Sequence, residues 1–220
     1  LRMISMAELR DPEETGTHVN RVGSYSSEIY EAWAKKRGLD QKVIDNYKDI
    51  LRMASMLHDV GKVGIKDEIL QKPGRLNDEE YTIMKQHVIM GAKLFLNAQS
   101  EFDEIAGQIA LNHHERWDGT GYPGHVDPAR NGEPIQGYAD EHGKPRGKRG
   151  EEIPLFGRVV AVADVYDALS SKRAYKDAWS EEDVFNELRK GAGKHFDPEV
   201  IEAFFSVIDV IRSLGRRYSE

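Results

Sequence analysis

The sequence contains no cysteine. That excludes disulfides, thiolate-ligated zinc and a cysteine nucleophile, and it makes the reducing cytoplasm the expected location. No apolar run approaches the roughly 20 residues that a membrane-crossing helix needs, and no signal-peptide pattern opens the chain, so a membrane segment is not expected. An excess of positive charge is also missing. The formal net charge of −7 argues against a broad nucleic-acid-binding face, although a local cation cluster or bound metals can reverse the sign inside one pocket and admit a small phosphorylated ligand. Strand-like alternation of any length and internal repeats are absent. Because it begins at Leu1 rather than Met, the chain is expected to be a piece of a longer protein, with any sensor or receiver domain, anchor or targeting segment outside it.

What is present is helical patterning over a length that suits one domain, 220 residues, long enough for a sizeable core and short for two. Apolar residues at spacings of three and four predict a helix from about Pro12 to Lys36, with Val22, Tyr25, Ile29 and Trp33 inward and Gly38 as its stop. Asp40 caps the next, whose stripe of Ile44, Tyr47, Leu51 and Ala54 leads to His58. Asn77 and Glu80 form a capping box for a helix carrying Met84, His87, Gly91 and Leu94 on one face. Phe102, Ile105 and Ile109 lead to Asn112 and His113, and Gly157 to Arg173 forms a further helix. Ser180 and Asp197-Pro198 open the last two. The predicted fold is all-α. One long irregular stretch, His125 to Glu152, is rich in proline and glycine and poor in apolar residues, which marks it as functional or disordered. Its basic part, Lys144 to Arg149, is read as a solvated face.

The chemistry-bearing side chains fall on the inward stripes. His58 continues one and is followed by Asp59; His87 lies on another; His113 and His114 end a third; Asp164 sits on a face of small residues. A lone inward histidine is more often a satisfied core residue than a ligand. Here several face inward together with acids, and no equal set of buried bases exists to pair them. Metal ions resolve that cost, and a donor set of imidazole and carboxylate without sulfur suits iron, manganese or zinc. Asp59, beside a histidine, is placed to bridge two ions.

These residues lie in recognisable segments. His58-Asp59-Val60-Gly61-Lys62 resembles the signature of HD-domain phosphohydrolases, and His113-His114-Glu115-Arg116-Trp117-Asp118-Gly119-Thr120-Gly121-Tyr122-Pro123 is similar to the HHExxDGxGYP motif of the HD-GYP subfamily. Glu68 to Gly74 matches its ILxKPG segment and Asp164 to Leu169 its DxxDAL segment, with Arg173-Ala174-Tyr175-Lys176 and Phe196-Asp197-Pro198 following at the family's distances. The resemblance covers about Glu14 to Phe205 and implies a single HD-type helical bundle over residues 12–220, preceded by a linker over 1–11.

The same resemblance implies a metal centre of His58, Asp59, His87, His113, His114 and Asp164. Glu14 and His18 are added for a third ion, since their spacing of four places both on one helical face and Arg21 follows as in the family's ETxxHxxR pattern. Two or three divalent ions are expected, iron or manganese. Asp59 and Lys62 are the implied catalytic residues. Lys62, Tyr122, Arg173 and Lys176 are expected to bind substrate. Asp167 is placed with them, either orienting a ligand from behind or holding the GYP loop. The implied activity is hydrolysis of cyclic di-GMP to pGpG, and with a roomy site to GMP, by a hydroxide bridging two metals. The alternatives are hydrolysis of another cyclic dinucleotide such as cyclic GMP-AMP, and a non-catalytic role binding the messenger or a GGDEF-domain partner. A homodimer through Ile29, Tyr30 and Trp33 of the first helix is a further expectation. The chain departs from the family pattern after Gly124, where the usual short link to Glu151-Glu152-Ile153-Pro154-Leu155 is lengthened by roughly two dozen residues.

Overall fold

The computed structural model describes residues 16–171 and 178–218; the predicted site residues Glu14, Arg173 and Lys176 lie outside them. Helix α1, Gly16–Lys36, occupies the middle of the bundle. Its residues Val19, Val22, Tyr25, Ile29, Tyr30 and Ala34 are all buried, each large side chain contributing about 1.5–3 kcal/mol by leaving water. Helix α2, Gln41–Ser55, starts where Asp40 accepts a hydrogen bond from the Lys42 N–H, a side-chain cap for a donor the helix cannot satisfy itself. It packs along α1 and brings Ile44, Leu51 and Ala54 into the core. A 3₁₀ segment, Val60–Gly64, follows, then a single turn α3, Asp67–Leu70.

Helix α4, Asp78–Met84, carries the expected capping box, Asn77 accepting from the Glu80 N–H and the Glu80 carboxylate from the Asn77 N–H. The expectation of one helix running from there through Leu94 fails. Around Gln86 the backbone makes i→i+3 bonds, from the Gln86 N–H to the Ile83 carbonyl and from the Ile89 N–H to the Gln86 carbonyl, and a new helix α5 runs His87–Lys93. A 3₁₀ step turns about 120° per residue against the α-helix's 100°. The stripe is thus re-phased: His87 turns inward, whereas Tyr81 and Ile83 before the step and Leu94 after α5 are exposed.

Helix α6, Glu101–Asn112, is capped by Ser100 and packs between α2, α5 and α7. Helix α7, Leu155–Ser170, is buried on most sides, with Val159, Val160, Val162 and Ala163 at its centre. It ends at Ser170 rather than reaching Arg173. Helices α8, Glu181–Gly191, α9, Pro198–Ser206, and α10, Ile208–Arg217, complete the bundle, α9 and α10 lying against α1. None of the described helices is long and apolar enough to cross a membrane.

Two further expectations are corrected. The first helix does not offer Ile29 and Tyr30 for self-association, because both are buried in the chain's own core. The long stretch after Gly124 is not featureless: Val126–Asp127 (β1) pairs antiparallel with Glu133–Pro134 (β2). Strands of two residues are too short to show alternation. Val126 is buried with Val88 and Ile89, and Leu111 and Tyr122 pack against them, in a small satellite core.

Candidate metal centre

The end of α2 is prolonged by a tight turn in which the His58 N–H bonds to the Ser55 carbonyl, so the inward stripe continues to His58, which is fully buried. Asp59 follows at the head of the 3₁₀ segment. That segment lies so close to α5 that a Cβ on Gly61 would strike the His87 carbonyl and Gly91. Gly61 therefore brings Asp59 to His87. His113 caps the C-terminus of α6 with His114 beside it; α7 supplies Asp164 and Asp167, and α1 supplies His18 and Arg21.

Three of the imidazoles are oriented in the same way. The Nδ1 atoms of His58, His87 and His113 lie 2.8, 2.7 and 3.1 Å from the carbonyls of Ser55, Met84 and Ile109. A carbonyl only accepts, so Nδ1 carries the proton and Nε2 presents a lone pair. These Nε2 atoms face acids: His87 and His113 approach Asp59 Oδ1 at 3.0 and 3.4 Å, and His58 approaches Asp59 Oδ2 at 3.5 Å and Asp164 Oδ1 at 3.9 Å. All three Nε2 atoms and Asp59 Oδ1 are buried without a hydrogen-bond partner among the described residues. Converging buried acceptors with no donor between them are costly, and a cation removes that cost.

The donors fall into two adjoining groups, Asp59, His87, His113 and His114, and His18, His58 and Asp164, with the ligand atoms of each within 4.8 Å of one another. Asp59 turns one oxygen toward His87 and His113 and the other toward His58, the disposition of a bridging carboxylate. Burial alone would raise its pKa, but the Lys62 ammonium, 2.9 Å from Oδ2, opposes this and helps hold it well below the ordinary carboxylate range. Burial lowers His113 and His114, the second reinforced by the first. Neutral imidazole and ionised carboxylate are the forms that bind metal, so the donor set fits divalent ions.

The remaining predicted residues divide. His18 is brought into the centre, its Nε2 3.7 Å from Asp164 Oδ1, and its Nδ1 is bonded to Asp167 Oδ2 at 2.7 Å. Asp167 itself is 2% exposed, and Arg21 grips both its oxygens, Nε to Oδ1 at 2.5 Å and Nη2 to Oδ2 at 2.9 Å. Burial would raise this carboxyl, yet the hydrogen bonds from His18 and Arg21 keep it below its usual value. Both Asp167 oxygens are thus engaged by His18 and Arg21. Tyr122 stacks on His114, centroids 4.9 Å apart, and burial pushes its hydroxyl pKa up. Tyr81 meets it edge-on, and the Lys85 ammonium lies over both rings, 5.1 Å from Tyr81 and 5.7 Å from Tyr122.

Sequence reasoning did not single out Asn112, Glu115 or Lys148. Lys148 belongs to the stretch read as solvated. That reading matches exposed Lys144, Arg146 and Arg149, but Lys148 is half-buried and donates to Asn112 Oδ1. Nothing local signals the contact, since the partner lies 36 positions earlier.

Comparison with known proteins places this geometry among relatives. The model of the HD domain family matches residues 15–169. A cyclic di-GMP phosphodiesterase of Vibrio cholerae is 40% identical over 98% of this chain and 40% of its own length, and one of Thermotoga maritima is 38% identical over 96% of this chain and 49% of its own. A 3′3′-cGAMP-specific phosphodiesterase of Vibrio cholerae is 37% identical over 86% of this chain and 30% of its own length. The chain therefore spans less than half of each of these relatives. In fold it is similar to the solved structure of a cyclic GMP-AMP-specific phosphodiesterase from V. cholerae, with a TM-score of 0.61 at 17% identity, covering 100% of this chain and 52% of that one.

Proposed function

Because the chain belongs to the HD domain family, we propose that it is the catalytic domain of a metal-dependent phosphodiesterase acting on a cyclic dinucleotide, cyclic di-GMP first. The observation that carries this reading is the pair of adjoining donor groups joined by Asp59, with the histidine tautomers already set. In this reading residues 12–220 form the domain and residues 1–11 its linker.

His87, His113 and His114 would hold one ion, His18, His58 and Asp164 the other, and Asp59 would span them. Manganese or iron is the assigned metal, since nitrogen and oxygen donors without sulfur suit both. When bound, such ions supply a water nucleophile at neutral pH and offset charge on the phosphoryl oxygens. The chain's own residues do the rest. Lys62, held by Asp59 at 2.9 Å, takes a non-bridging phosphate oxygen or steadies the leaving oxygen. Tyr122 offers its ring to a base, and the neighbouring Lys85 ammonium adds positive charge at that edge. Asp167 and Arg21 keep the His18 ring in its ligand tautomer.

The protein is loaded with Mn²⁺, or anaerobically with Fe²⁺, and given cyclic di-GMP and 3′3′-cGAMP in parallel. Release of pGpG that stops on chelation is expected. A protein that binds two ions and cleaves neither dinucleotide would defeat the reading. Faster turnover of 3′3′-cGAMP would move the substrate to the mixed dinucleotide.

A further inference from the structure

Glu115 directly follows the paired histidines, and its carboxylate is 2% exposed. Oε1 accepts from the Gly124 N–H at 2.5 Å, at the point where the inserted stretch departs. Oε2 is buried without a hydrogen-bond partner among the described residues. At the other end of the stretch the Lys148 Nζ donates to Asn112 Oδ1 at 2.5 Å. Asn112 precedes His113, is 2% exposed, and donates from Nδ2 to the Gln108 carbonyl at 2.7 Å. Both ends of that amide are therefore engaged. The two feet of the insertion are themselves joined, the His125 N–H bonding to the Arg146 carbonyl at 2.9 Å. They pass so closely that a Cβ on Gly124, whose φ is +84°, would strike that carbonyl.

We propose that Lys148 is a positioning residue for the His113–His114 pair, its ammonium fixing the Asn112 amide that precedes them, and that a foot of the insertion thereby braces the metal centre. The inference rests on the metal-centre reading and is independent of the substrate. Without Lys148 a buried amide oxygen loses its donor, on the residue that leads into the pair. The group of His18, His58 and Asp164 is anchored on α1, α2 and α7, so the effect is expected on one ion alone.

The test is calorimetric titration of the whole chain with Mn²⁺, alongside the melting temperature of the metal-free protein. Groups that orient ligands change affinity by about 10–100-fold when lost. Lys148→Met is expected to weaken one of two Mn²⁺ ions by that factor and leave the other unchanged, and Lys148→Arg to recover it. Parental binding by Lys148→Met overturns the proposal, as does equal weakening of both ions. Should Lys148→Met fail to fold, the double variant Asn112→Leu/Lys148→Met, which removes the buried amide together with its donor, must still show the single weakened ion. A parent that binds two ions without cleaving either dinucleotide removes the substrate reading and leaves this proposal intact, whereas a parent that binds no Mn²⁺ overturns both.

Discussion

In the proposed centre a histidine would become a ligand through what its other nitrogen does. Carbonyls at Ser55, Met84 and Ile109 hold the Nδ1 protons of His58, His87 and His113, and Asp167 does the same for His18. Asp167→Asn keeps the size of the side chain and removes the charge that Arg21 and His18 share. The expected result is a loss of about 10–100-fold in Mn²⁺ affinity at the His18 group and about 3 kcal/mol of stability from the uncompensated Arg21, read by calorimetry and denaturant melts. Asp59→Ala removes the carboxylate common to both groups. Metal content and turnover of cyclic di-GMP should fall together while the helical circular dichroism persists. Full activity in that variant would end the two-ion assignment.

At the scale of elements, what could be read from the sequence was what is local. The caps at Asp40, Asn77, Ser180 and Asp197 are all in place, because a cap depends on three or four consecutive residues. Asp40→Ala should accordingly lower stability by about 1 kcal/mol, measured by urea melts. The step at Lys85–Gln86 was not legible, since two residues of tighter winding leave no mark on periodicity, and the two-residue strands of the insertion carry no alternation. The clasp around Glu152 escaped for a different reason: it joins Arg146, His125 and the Arg149 N–H across a glycine-rich turn. The Arg149 N–H and the Arg146 guanidinium lower the Glu152 pKa from 4.5 to about 2. A depressed folded-state pKa contributes stability above the unfolded value and loses it as pH falls through the folded one. Amide protection of residues 125–146, corrected for intrinsic exchange, should therefore fall between about pH 4.5 and about 2, and Glu152→Gln should remove that dependence.

For the molecule as a whole, the donors come from positions 18 to 164, so bound ions tie α1, the end of α2, α5, the end of α6 and α7 together. The residue types and their order made all seven of these candidate donors legible from segments of the chain. Their grouping into two sets, and the bracing by Arg21, Asn112 and Lys148, depend on contacts between distant segments that no local pattern encodes. Mn²⁺ at about 100 times its dissociation constant should stabilise the fold by about 2.7 kcal/mol, a rise in melting temperature of about 5–10 °C for a domain of this size. Chelator should reverse it, and an unchanged melting temperature would count against ions buried in the core. The hydrogen bond from the His125 N–H to the Arg146 carbonyl has an engineering corollary. Chain exit and re-entry are a single hydrogen bond apart, so a foreign domain with adjacent termini can be spliced between them. A fluorescent protein grafted there would sit next to Gly124 and Lys148, where occupancy of the neighbouring centre becomes an optical signal.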